Sequence, residues 1–142
     1  MSDLELLARI LRCEAGGEGE DGMRAVATVI MNRVREDTGE YGRFNTLRNV
    51  IYAPYQFDCA REYFGTKYNP QNIFNIPAEQ EHYDIAQWAL DGGVLPIVSN
   101  SLWYFNPFSK VCKTNFPNKN GYFAIRIGDH CFYNPTSSYP NT

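Results

Sequence analysis

Leu4, Leu7, Ala8, Leu11 and Ala15 recur at the three- and four-residue spacing of one helical stripe, and Leu6 and Ile10 widen it. The spacing predicts a largely buried first helix, opened by Ser2-Asp3-Leu4-Glu5, which has capping-box spacing. Gly16-Gly17 should end it just after Glu14, with Gly16 expected at positive φ in the left-handed conformation that closes helices. A second helix is expected from the acidic cluster Glu18, Glu20 and Asp21, whose charges suit a helix N-terminus, to about Arg35. It runs through Met23, Val26, Ala27, Ile30 and Val34, and the added apolar surface of Ala25 and Val29 makes it a candidate central helix.

Polar residues 36–45 read as a loop, after which Thr46 caps a short helix through Leu47, Val50 and Ile51 that ends before Pro54. From Tyr55 to Pro77, aromatic and polar residues alternate at no steady period, as in a substrate-facing loop region. A further helix is expected from Ala78 to about Leu90, closed by Asp91-Gly92-Gly93. Short strand-like runs follow at Ser101 to Phe105, Tyr122 to Ile127 and Cys131 to Tyr133, the last two joined by Gly128-Asp129, a type II′ hairpin signal. Helices first and a small antiparallel sheet last make the expected fold class α+β, one domain over residues 1–134 with a frayed tail from Pro135 to Thr142.

Charge and composition narrow the field of functions. Sixteen acidic against thirteen basic side chains leave a net charge of −3, which does not supply the basic surface that nucleic-acid binding needs. The most apolar run, Ala25 to Met31, is far shorter than the roughly 20 residues of a membrane span. Asp3 and Glu5 stand where a signal peptide would be basic and then apolar, so synthesis without Sec export is expected. Cys13, Cys59, Cys112 and Cys131 form no CxxC pair; a Cys112–Cys131 bridge is conceivable, but buried free thiols are the expected state. His130 and Cys131 adjoin on a strand and so face opposite ways, and with no paired-ligand motif no metal or other cofactor is expected. Cys13 with His82 or His130 is equally unsupported as a nucleophile and its base.

Glu14 is the first candidate for chemistry. A carboxyl at the end of an apolar helix, beside glycines that leave space for a ligand, can be held protonated by desolvation and act as an acid; it can equally be a solvated helix-end glutamate. Glycan clefts also use aromatic faces against sugar rings and amides against hydroxyls, and Gln56-Phe57, Trp103-Tyr104 and Asn106 are of those types at loop or strand-end positions.

Four blocks together carry a resemblance: LLARILRCEAGGEGEDGMRAVATVIMNRV (Leu6 to Val34), VIYAPYQFDC (Val50 to Cys59), SLWYFNP (Ser101 to Pro107) and IGDHCFYNPT (Ile127 to Thr136). In this order they resemble the SleB/CwlJ family of cell wall hydrolases, which degrade spore cortex peptidoglycan during germination, and the length and ending look most like the short, single-domain CwlJ type. The resemblance implies a lysozyme-like, mainly helical α+β domain that cleaves the glycan strand of peptidoglycan, with Glu14 as the catalytic acid of a lytic transglycosylase. It also implies a site lined by Glu18, Asn32, Gln56, Phe57, Tyr104 and Asn106, although Asn32 could instead be a buried group capped by backbone. Asp58 replaces the small hydroxyl residue of many longer members and is a second carboxylate for the cleft, which could shift the outcome toward hydrolysis. Location in the spore coat or at the cortex boundary, and a spore-coat protein partner, are expected on the same resemblance. Alternatives left open are hydrolysis of ordinary or phage-targeted cell wall, or a non-catalytic glycan-binding coat protein.

Overall fold

A computed structural model describes residues 1–54 and 56–142. Helix α1 spans Asp3–Ala15, with the Ser2 side chain accepting from the Glu5 N–H at 3.1 Å. Its apolar stripe is fully used, since Leu6, Leu7, Ala8, Ile10 and Leu11 are each 0% exposed. Helix α2 spans Gly19–Arg35 and is the central helix, packed against α1, the short α3 (Leu47–Tyr52), α4 (Gln80–Leu90) and the sheet. Thr46 caps α3 by accepting from the Asn49 N–H at 3.1 Å. Helix α4 begins two residues later than the pattern predicts because Glu79 and His82 form a reciprocal cap, with the Glu79 N–H donating to His82 Nδ1 at 2.9 Å. His82 is thereby occupied as a buried cap and is not a candidate base.

The link between α1 and α2 departs from expectation. Gly16 sits in the right-handed helical region (φ −59°, ψ −25°) and donates to the Arg12 carbonyl; the chain first reaches positive φ at Gly19 (φ 76°). What Gly16 requires is space, because a Cβ there would lie 2.5 Å from the Arg12 carbonyl oxygen.

Strand β3 (Trp103–Phe105) pairs antiparallel with β5 (His130–Pro135), and β5 pairs antiparallel with β4 (Gly121–Ile127), giving the order β3-β5-β4. Ile127 pairs with His130 across Gly128-Asp129, and Gly128 takes φ 58° as a II′ turn requires of its first central residue. Alternation divides the sheet into two faces. Phe132 joins the helical core, with Tyr104, Ile125 and Ile127 packed on it. Trp103, Cys131 and Tyr133 join a second cluster with Tyr41, Leu102 and Tyr139.

Three expectations are corrected here. The tail is not frayed: Tyr139 is 2% exposed, accepts from the Tyr41 N–H at 3.0 Å and donates to the Thr38 carbonyl at 2.9 Å, while Thr142 Oγ1 accepts from the Glu40 N–H at 2.7 Å. Its aromatic anchor fills the second cluster, a long-range contact that local composition does not reveal. The middle segment holds regular structure, a two-stranded hairpin of β1 (Tyr63–Phe64) and β2 (Lys67–Tyr68), with the rings of Tyr63, Phe64 and Tyr68 exposed; Tyr55 lies outside the described residues. The cysteines are bridged rather than free, Cys13 to Cys59 and Cys112 to Cys131, with Cα–Cα separations of 6.5 and 5.9 Å. Both separations lie within the range a disulfide spans, and packing of elements distant in sequence creates them.

Candidate active site

Glu14 lies in the last turn of α1, held there by the buried Leu11 and Ala15, and keeps part of its surface exposed. The Tyr104 hydroxyl donates to Glu14 Oε1 at 2.5 Å. Strand alternation places it: Trp103 belongs to the second cluster, so Tyr104 between Trp103 and Phe105 faces the helices. The rings of His130 (edge-on, 5.1 Å) and Phe132 (6.0 Å) pack against Tyr104 and fix its direction. On the other side of the carboxyl, Cys59 Sγ of the Cys13–Cys59 bridge lies 3.7 Å from Oε2.

These surroundings favour the neutral acid. Burial pushes the Glu14 pKa above the ordinary glutamate value; the Tyr104 hydrogen bond and the Arg33 charge oppose the rise, and the nearby Asp58 charge adds to it. Burial and the facing carboxylate together push Tyr104 well above the usual phenol range, so it remains a donor. The arrangement is a largely desolvated carboxylic acid oriented by one phenol, with a second carboxylate close enough to influence it. Chemically it can deliver a proton.

Arg33 organises the far wall, and sequence reasoning passed over it. It is 5% exposed, donates through Nε to the Leu102 carbonyl at 2.7 Å and through Nη1 to Gln56 Oε1 at 3.3 Å, and lies over the Tyr41 ring at 4.6 Å. The signal was present, because Val26, Ile30 and Arg33 share one helix face and place a guanidinium on the buried stripe. The Tyr41 hydroxyl also donates to Gln56 Oε1, at 3.2 Å. A cleft of about 370 Å³ is bounded by Arg33, Tyr41, Gln56, Trp103, Tyr104 and Phe116.

The remaining expected site residues separate into two groups. Gln56, Asp58 and Tyr104 gather around Glu14 and the cleft. Phe57 is 3% exposed and packs in the helical core. Glu18 is taken up by the β4–β5 turn, where Oε2 accepts from the Asp129 N–H at 3.3 Å and Oε1 lies 3.2 Å from His130 Nδ1. The chain turns away at Gly19, so Glu18 does not continue the α1 face beside Glu14. Asn32, half-buried, donates to the carbonyls of Ser99 (3.0 Å) and Ser101 (2.9 Å). Asn106 accepts from the Phe108 N–H at 2.8 Å and borders a separate hollow with Phe108, Arg126 and Asp129.

Among the described residues, Cys13, Glu14 and Cys59 bring three metal-ligating atoms within 4.8 Å of one another. With the two sulfurs bonded to each other they offer no thiolate, so in this state the trio lacks the donors of a zinc site. No helix among the described residues is long and apolar enough to cross a membrane.

Comparison of the sequence and the fold with known proteins points to one family. The family model described as Cell Wall Hydrolase matches residues 17–133, beginning just after Glu14. The cell wall hydrolase CwlJ of Bacillus subtilis (strain 168) is 32% identical over 136 residues, covering 96% of this chain and 87% of that protein. CwlJ of Halalkalibacterium halodurans is 30% identical over 137 residues, with the same coverage of 96% and 87%. The catalytic domain of the Bacillus cereus SleB protein superposes with a TM-score of 0.66 at 27% identity, over 92% of this chain and 88% of that one. The catalytic domain of the germination-specific lytic transglycosylase SleB of Bacillus anthracis gives 0.65 at 27% identity, over 92% and 93%. The expected lysozyme-like α+β fold is that of these neighbours. With its fold shared and the model spanning most of its length, the chain belongs to the cell wall hydrolase family.

Proposed function

We propose that this protein is a peptidoglycan-degrading enzyme of spore germination that cleaves the glycan strand as a lytic transglycosylase, with Glu14 as its one catalytic acid. The observation that carries the chemistry is the desolvated Glu14 carboxyl held at 2.5 Å by Tyr104. The printed names of the relatives, a CwlJ cell wall hydrolase and a germination-specific lytic transglycosylase, support the substrate and the setting.

In this reading neutral Glu14 protonates the glycosidic oxygen as the bond to it breaks, leaving an oxocarbenium-like centre on the muramoyl sugar. Glu14, now a carboxylate, then takes the proton from that sugar's own primary hydroxyl, whose oxygen closes the anhydro ring. Tyr104 holds the carboxyl in place through both steps, and Gln56 offers an amide to sugar hydroxyls in the cleft. A spore-coat or cortex-boundary location with a coat protein partner fits the germination setting and belongs to the same proposal.

A second reading, hydrolysis, is favoured by one observation. Asp58 is near enough for its charge to act on Glu14, so it could activate a water against the same centre. Mass spectrometry of purified cortex peptidoglycan after incubation with the protein separates the two. Anhydro-muramic ends are the expected product; reducing ends would assign hydrolysis, and uncut glycan would refute both.

A further inference from the structure

The Cys13–Cys59 disulfide joins the two segments that carry the carboxylates of the site. Cys13 directly precedes Glu14 in α1, and Cys59 directly follows Asp58 in the short turn Asp58–Ala60. Asn69 Nδ2 donates to the Asp58 carbonyl at 3.3 Å, and the Ile73 N–H donates to the Cys59 carbonyl at 2.9 Å, while the Ile73 carbonyl accepts from Arg9 Nη1 of α1 at 2.6 Å. The covalent bridge adds a direct tie between the turn and the helix end that holds Glu14. Its two ends differ in access, since Cys13 is exposed and Cys59 is 3% exposed. The second bridge, Cys112–Cys131, lies in the cluster on the other face of the sheet.

We propose that Cys13–Cys59 is a thiol–disulfide exchange site that gates cleavage, closed in the working enzyme and opened by a dithiol to a less active one. The proposal rests on the reading of Glu14 as the acid. A thiolate of the dithiol attacks the sulfur of Cys13, the exposed residue of the pair, the Cys13–Cys59 bond breaks, and Cys59 leaves as a thiolate and takes up a proton. The second thiol of the reagent then displaces Cys13, so the dithiol is oxidised to its cyclic disulfide while both cysteines are reduced to thiols. Two electrons and two protons pass from reagent to protein. With the bridge open, Asp58 loses its direct covalent tie to the helix end and can shift relative to Glu14, while Gln56 stays held by Arg33 and Tyr41. Misplacement of this kind by about 1 Å is enough to cost up to about 100-fold in rate.

The test compares oxidised wild type, wild type reduced with dithiothreitol, and the Cys13→Ser/Cys59→Ser double variant. It measures glycan fragments released and amide hydrogen exchange over residues 57–61. The expected result is a roughly 10- to 100-fold loss on reduction, recovered on reoxidation, with faster exchange in the turn. The double variant should match the reduced enzyme and not respond to dithiol. Equal cleavage by oxidised and fully reduced wild type would overturn the proposal, and so would a double variant that still loses activity in dithiol, which would move the effect to Cys112–Cys131. A protein that cuts no glycan in any state would refute the functional reading and the gating of cleavage with it, whereas failure of the gating alone would show as equal cleavage in the oxidised and reduced states.

Discussion

Glu14→Gln is expected to abolish cleavage while leaving the fold intact and, at neutral pH, more stable. The glutamine keeps the shape and the acceptor oxygen for the Tyr104 hydroxyl but cannot deliver a proton, and loss of a positioned general acid costs about 100- to 10,000-fold in rate. The stability gain follows from linkage. Burial raises the Glu14 pKa in the folded protein above its unfolded value, so the folded state binds this proton more tightly. That contribution is present in full below the unfolded value, about 4.3, and is lost as pH rises through the raised folded one. Above that point the wild type holds a buried carboxylate that the variant does not. Thermal melting of both proteins across pH should show an advantage for the variant at neutral pH that shrinks toward pH 4. A variant that cleaves as well as wild type removes Glu14 from the mechanism, and one that melts lower at every pH contradicts the buried-acid account.

Arg33→Leu should have the largest effect on stability. Leucine fills part of the volume but leaves the Leu102 carbonyl without its donor, releases Gln56 from the guanidinium and removes the cation from the Tyr41 face. A charged hydrogen bond and a desolvated cation–π contact are each worth about 2 kcal/mol, so a loss of roughly 3–5 kcal/mol is expected. In a chain of this size that corresponds to a fall in Tm of roughly 10–15 °C. Arg33→Lys should lose less stability, because the charge remains and only the planar fork is gone. Since the Arg33 charge also holds the Glu14 pKa down, the leucine variant should keep its acid protonated to higher pH, seen as an upward shift of the alkaline limb of the pH–rate profile. A melting temperature within a few degrees of wild type would show that the guanidinium does not organise this wall.

The same residues show what a sequence discloses and what it does not. Helices α1, α2 and α3 and the β4–β5 hairpin follow from apolar spacing, an N-cap and one glycine, all local signals. Glu14 stood out for the same reason, as a carboxyl ending an apolar stripe next to glycines. What sequence could not place was decided by contacts far apart in the chain. Glu18, expected to line the site, is sent by the turn at Gly19 to a hairpin more than a hundred residues away. Phe57 and Gln56 adjoin, yet one faces the core and the other the cleft. Tyr139 reads as part of a polar tail and proves to be a buried anchor. The Cys13–Cys59 pair could not be read from spacing, since α1 and the Asp58 turn meet only in the folded chain.

The account depends on neutral Glu14 being the working form of the enzyme. The most direct test is to titrate the Glu14 side-chain carboxyl by carbon-13 NMR in the intact, oxidised protein and to measure the pH dependence of kcat/KM on the same preparation. The account predicts a Glu14 midpoint above the ordinary glutamate value of about 4.3, coinciding with the pH at which activity falls on the alkaline side. A Glu14 carboxyl that ionises at or below the ordinary value, while cleavage persists at pH values where it is fully charged, would contradict it.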